Sequence, residues 1–181
     1  PWDKEMTLAN YNAYALTTFS NGQVIKYIHP ASGESITFQP QQLQFTNDLD
    51  QIQSIGNPQT VTAFVDDDTL IWSDAFGFHL NFAWEAQTAR LAKKLTIDNL
   101  VSLGTPAQYI IDGGNPVLRL QFIFQISSNI DIYINGEAWD KTKTKETTGF
   151  VEFRNKTTGL PLWWFGNSHA IDNNDDEINL R

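Results

Sequence analysis

"FGFHLNFAW", residues 76–84, sets a large apolar side chain at every even position, with Gly77, His79, Asn81 and Ala83 between them. Successive side chains of a β-strand point to opposite faces. The alternation therefore predicts a half-buried strand over residues 76–86. The same period recurs in "VLRLQFIFQI", residues 117–126, where Leu118, Leu120, Phe122, Phe124 and Ile126 share one face. It recurs again in "NIDIYIN", residues 129–135, with Ile130, Ile132 and Ile134 inward and Asp131 and Tyr133 outward.

Working outward from these three stretches, shorter alternating runs occupy residues 13–19, 24–29, 36–38, 43–45, 61–65, 69–72, 90–97, 108–111, 150–154 and 160–165. Turn chemistry separates them. Asn21-Gly22 and Asn135-Gly136 are strong hairpin signals because both turn residues must adopt positive φ. Asp66-Asp67-Asp68 turns a third pair of strands. Helix signals are few. Residues 2–10 fit one or two helical turns that pack Trp2, Met6 and Leu8. Residues 98–104 fit a short helix capped by Asp98 and ended by Gly104.

Aromatics make up 13% of the chain, including six Trp, and suit pleated surfaces. The expected fold is all-β: an antiparallel sheet closed into a barrel or packed as a two-sheet sandwich. About nine to eleven strands and one or two short helices are expected. With 181 residues the simplest organisation is one domain, residues 1–181, of which 167–181 form a polar acidic tail. Two small domains are the alternative.

Composition excludes several chemistries. The chain has no Cys, so disulfides, thiolate zinc sites and thiol nucleophiles are absent. The net charge of −9 repels phosphate backbones, which argues against nucleic-acid binding. No apolar run approaches the roughly 18 residues of a membrane span. The three histidines, His29, His79 and His169, show no metal-ligand spacing, and no metal site is predicted. Asp172-x-Asn174-x-Asp176 opens like an EF-hand loop but carries Glu177 where Gly is needed. A loose surface calcium ion is the one cofactor alternative, and otherwise none is expected. No basic, apolar leader opens the sequence. The sequon Asn155-Lys156-Thr157 favours a secreted or periplasmic setting.

Candidate chemistry lies on the polar faces of the central strands. If the strands of Arg119 and Asp131 pair, Arg119, Asp131 and Tyr133 become neighbours within about 5 Å. His79 on an adjoining strand would add a proton carrier, giving a catalytic set of His79, Arg119, Asp131 and Tyr133 suited to acid–base work. Glu85, Glu137 and Glu152 are further carboxylates for sugar hydrolysis. A flat indole stacks on a sugar ring or seats an apolar ligand. Trp84, Trp139, Trp163 and Trp164, with Asn81, are the candidate ligand-binding residues. Adjacent Trp163 and Trp164 point to opposite faces of a strand, so one is expected to be exposed. The expected function is ligand binding, of carbohydrate or a small apolar molecule. A small barrel enzyme of isomerase, cyclase or lyase type is the alternative, and a structural or interaction protein the second.

Overall fold

The computed structural model describes residues 2–7, 11–86, 91–147, 149–166, 170–171, 174 and 177–178. The chain divides into two compact units, Pro1–Gln125 and Ile126–Arg181. In chain order the first carries β1 (Lys4–Thr7), β2 (Asn12–Ala15), β3 (Thr18–Phe19), β4 (Ile25–Ile28), β5 (Ser35–Thr46) and β6 (Ile52–Gly56). It continues with β7 (Val61–Thr62), β8 (Phe64–Asp66), β9 (Thr69–Trp72), β10 (Leu80–Ala86) and β11 (Leu91–Ile97). A 3-10 turn (Leu100–Leu103) and α1 (Gln108–Asp112) lead to β12 (Val117–Ile126), which ends at the boundary.

Two sheets dominate this unit. One has the order β1-β2-β4-β5-β12, with β6 also on β5, and the other runs β11-β10-β9-β8. All registered pairs are antiparallel, and no closed barrel is found among the described residues. The fold is mostly β, with more and shorter strands than the nine to eleven expected. β5 is long enough to serve β4 and β6 at separate stretches, residues 35–38 pairing with β4 and residues 43–46 with β6, and it is also bonded to β12. Pro40 falls between those stretches, where its missing N–H costs neither ladder a bond.

The core is aromatic. Phe19 meets Trp72, Phe76 and Phe82 at ring-centroid distances of 5.6, 5.4 and 5.6 Å. Phe82 also meets Phe122 of β12 at 5.6 Å, which joins the two sheets. The Trp72 indole N–H donates to the Thr17 carbonyl at 2.9 Å, so the buried ring leaves no polar atom unmet.

This cluster explains a departure from the sequence reading. Asn21-Gly22 does not form a two-residue hairpin turn, and neither residue has positive φ. Instead β2 pairs with β4 and the chain between them bulges out, so that Thr18–Phe19 pairs with β7. Phe19 is thereby fully buried. By contrast, Asn135-Gly136 takes φ of 53° and 82° and makes the expected turn.

Four other expectations are corrected. Residues 4–7 form β1 rather than a helical turn, and residues 8–10 lie outside the described residues. Residues 108–111 belong to α1, not a strand. Ile110 is buried, and the Asn47 amide caps the helix end by donating to the Tyr109 and Ile110 carbonyls at 3.3 and 3.0 Å. The 98–104 helix forms as a 3-10 turn, capped by Asn99 rather than Asp98, with Gly104 at φ 68°. The strand predicted from residue 76 begins only at Leu80. Residues 76–79 are a tight loop: the His79 N–H donates to Asp74 Oδ1 at 2.7 Å and the Phe76 N–H to the Leu80 carbonyl at 3.2 Å. Gly77 and His79 both have positive φ, 124° and 63°. Phe76 stays buried while Phe78 turns outward, 72% exposed.

β8 is an edge strand of its sheet, with Phe64 and Val65 exposed beside the Asp66–Asp68 turn.

The second unit carries β13 (Ile130–Ile134), β14 (Glu137–Ala138), β15 (Val151–Asn155) and β16 (Pro161–Phe165), in the order β14-β13-β15-β16. Ile130, Ile134 and Phe153 are buried on one face, and Phe153 meets Phe165 at 4.8 Å. Within the expected tail, β17 (Ala170–Ile171) and β18 (Glu177–Ile178) form a small antiparallel ladder. His169, Asp172 and Asp176 lie outside the described residues.

Gly56 packs directly under the aromatic loop: a Cβ there would lie 1.8 Å from the Phe76 carbonyl oxygen. Gly56→Ala is expected to destabilise the chain by about 3 kcal/mol through forced backbone movement. The denaturant midpoint measures this, and an unchanged midpoint would refute the close packing.

Candidate functional site

The sheet of the second unit has one face closed by hydrocarbon and one face open. Register puts Asp131 opposite Arg154 and Tyr133 opposite Glu152 across β13 and β15. It puts Glu152 opposite Trp164 across β15 and β16. Cross-strand partners share a face, so Asp131, Tyr133, Glu152, Arg154 and Trp164 lie together on the side away from Ile130, Ile134 and Phe153. The Trp164 ring is 67% exposed, whereas Trp163 points to the covered side and is half-buried. The two adjacent indoles thus divide between the faces as the extended backbone requires.

Polar contacts hold this open face in one arrangement. The Arg154 guanidinium stacks 4.1 Å over the Tyr133 ring and forms an ion pair with Glu152, its Nε–H donating to Oε2 at 2.6 Å. Lys156 Nζ lies 3.7 Å from Asp131 Oδ1. A planar guanidinium fixed on an aromatic ring loses little further freedom when it donates to a ligand. The face therefore offers one uncovered indole beside a rigid set of donors and acceptors.

The strand ladder expected to set Arg119 beside Asp131 is not found among the described residues. β12, carrying Arg119, is bonded to β5, whereas β13 is bonded to β14 and β15. Arg119 is exposed on the first unit. The cation that meets Tyr133 is Arg154, which the sequence reading did not single out. Its signal was the alternation of Glu152 and Arg154 in residues 150–154.

His79 and Asn81 lie in the first unit, at the end of the loop before β10 and within β10. Asn81 accepts from the Asp74 N–H at 2.8 Å and donates to Asp98 Oδ2 at 2.6 Å. The Asp98 N–H donates to the His79 carbonyl at 3.1 Å. These bonds build the loop that carries Phe78, whose ring lies 3.8 Å from that of His79. Phe78, His79, Asn99 and Val101 border a shallow, open depression of about 380 Å³. Trp84 is buried, with its indole N–H donating to the Tyr27 hydroxyl at 3.1 Å.

Trp139 borders a smaller recess of about 230 Å³ with Asp140 and Lys145. Its indole N–H donates to the Lys143 carbonyl at 2.8 Å. The hydrogen bond from Lys145 holds the Glu137 carboxyl below its ordinary pKa, and that from the Thr142 backbone does the same for Asp140. Among the described residues, no group of three or more His, Asp or Glu side chains is placed to hold a metal ion. No described helix is long and apolar enough to cross a membrane.

Asn155 of the sequon is buried, and its Oδ1 accepts from the Thr157 and Thr158 N–H groups at 2.9 and 3.0 Å. A glycan on this amide is incompatible with that burial, so the sequon loses its weight for secretion.

Comparison with protein-family models, with curated proteins and with solved structures gave no match for this chain.

The Tyr133–Arg154 stack is a measurable unit. A double-mutant cycle of Tyr133→Ala and Arg154→Ala, read by chemical denaturation, is expected to give a coupling of about 0.5–1 kcal/mol. A coupling of zero would mean the two side chains do not support one another.

Proposed function

We propose that the chain is a carbohydrate-binding β protein whose ligand platform is the open face of β13, β15 and β16. The observation that carries this reading is the exposed Trp164 indole on the same face as Tyr133, Arg154, Glu152 and Asp131. A pyranose ring presents an apolar C–H face and a rim of hydroxyls. The indole meets the first, and the fixed guanidinium and carboxylates meet the second. The opposite charges on this face are paired with one another, which suits a neutral saccharide better than a charged one.

In this reading the first unit is a two-sheet sandwich that serves as scaffold. The apolar-ligand reading has less support. Phe76 and Phe82, apolar side chains of the kind such a ligand needs, pack on Phe19 and on each other. The acid–base reading draws no support from the contacts of Asp131 and Tyr133, which are an ion pair with Lys156 and a stack with Arg154.

Affinity electrophoresis of the full chain in gels containing laminarin, xylan or mannan tests the proposal. Migration is expected to be retarded by at least one polymer, and Trp164→Ala is expected to abolish the retardation. Trp164→Ala leaves folding within about 0.5 kcal/mol of the parent, because the ring is exposed. Trp139→Ala should remain retarded. No retardation by any of the three, or retardation that survives Trp164→Ala, would sink the proposal.

A further inference from the structure

The loop before β10 holds a phenylalanine out in solvent. Asp74, Gly77 and His79 all have positive φ, 56°, 124° and 63°. For Asp and His that backbone is strained, and it persists where surrounding bonds enforce it. Here Asp74 Oδ1 accepts from the His79 N–H at 2.7 Å, and Asn81 Oδ1 accepts from the Asp74 N–H at 2.8 Å. The strained, bonded loop displays Phe78 where a relaxed strand would carry it on the same face as buried Phe76.

Other hydrocarbon lies beside that ring. Leu100 and Val101, on the 3-10 turn, are 75% and 82% exposed. Val101, Phe78 and Ile55 of β6 border the depression of about 380 Å³. Along β6 the patch continues to exposed Ile52, whose carbonyl accepts from the Tyr109 hydroxyl at 3.0 Å. Contiguous exposed hydrocarbon of this kind marks an interaction surface. The depression is shallow and open, so it seats a side chain but does not enclose a free small molecule.

The charge on the segments that build this surface has one sign. Residues 27–89 and 95–118 contain no Lys or Arg. Asp98 follows β11, and its N–H donates to the His79 carbonyl at 3.1 Å. Asp48 and Asp50 precede β6, and Asp112 ends α1; all four carboxylates are exposed. A second copy of the chain, at net charge −9, is repelled by such a field, as is an anionic lipid surface. A basic segment is attracted.

We propose that this surface docks a basic peptide segment of a partner protein. An apolar side chain of the segment seats between Phe78, Val101 and Ile55, and flanking Lys or Arg face the surrounding carboxylates. The anchor supplies affinity, and the charges supply selection and speed of encounter. The surface belongs to the first unit and is independent of the saccharide platform in the second.

The test follows a fluorescein-labelled amphipathic peptide of Leu and Lys by anisotropy as the full chain is added. Each control shares one feature with it: oligolysine keeps the charge without the hydrocarbon, and a Leu–Glu peptide keeps the hydrocarbon with the opposite charge. The Leu–Lys peptide is expected to bind at least about tenfold tighter than either control, and more weakly at high NaCl. Phe78→Ser leaves the charge unchanged and is expected to weaken binding at least about tenfold. Val101→Ser should act in the same direction. Phe64→Ser on β8 removes another exposed ring of the same unit and should leave binding as it was. Because the Phe78 ring is exposed, its loss should leave the denaturant midpoint near the parent's, so lost binding reports the surface and not the fold. Binding that oligolysine equals, or that both Phe78→Ser and Val101→Ser leave intact, would overturn the proposal. So would a dimer in sedimentation that Phe78→Ser dissolves, which assigns the face to a second copy.

Discussion

The first unit depends on one contact set, the packing of Phe19 against Trp72, Phe76 and Phe82. Burying a Phe side chain stabilises by about 1.5–3 kcal/mol. Each well-placed ring pair adds about 0.5–1.5 kcal/mol. One turn hydrogen bond contributes about 1 kcal/mol. The comparison decides the local structure: the chain forgoes a tight turn at Asn21-Gly22 so that Phe19 can reach the cluster. The loop at residues 76–79 follows from the same demand. Phe76 must point inward and β10 must start in register with β9, and a compact turn with two positive-φ residues satisfies both.

Alternation made much of the fold legible. It located β9, β12, β13 and the β15–β16 hairpin, and it assigned Phe82, Trp84, Ile130 and Ile134 to the core. It failed where a period of two coincides with another structure. Phe76 and Phe78 alternate in sequence, yet a turn separates their environments, because Asp74 binds the His79 N–H instead of leaving it to a ladder. Residues 108–111 are apolar enough for a strand, but the Asn47 amide, more than 60 residues away in sequence, satisfies the carbonyls at the end of α1. No local pattern records that partnership.

The candidate face was legible in part for a related reason. Asp131 and Tyr133 were readable as outward, and the split between Trp163 and Trp164 followed from their adjacency. The cation beside them was not. Nearness in sequence suggested Arg119, whereas strand pairing gave β13 to β15 and supplied Arg154. Which strands share a sheet is decided by long-range burial, and a single alternating segment carries no address for its partner.

The edge strand β8 has a bearing on how the protein behaves in concentrated solution. Phe64 and Val65 lie exposed on the strand that ends this sheet among the described residues, the kind of strand that can template pairing with another chain. Asp66, Asp67 and Asp68 place three carboxylates immediately after them. They act as gatekeepers, since two copies aligning along this edge would bring like charges together. That guard is purely electrostatic. Added salt screens it, so the protection of this edge falls as ionic strength rises.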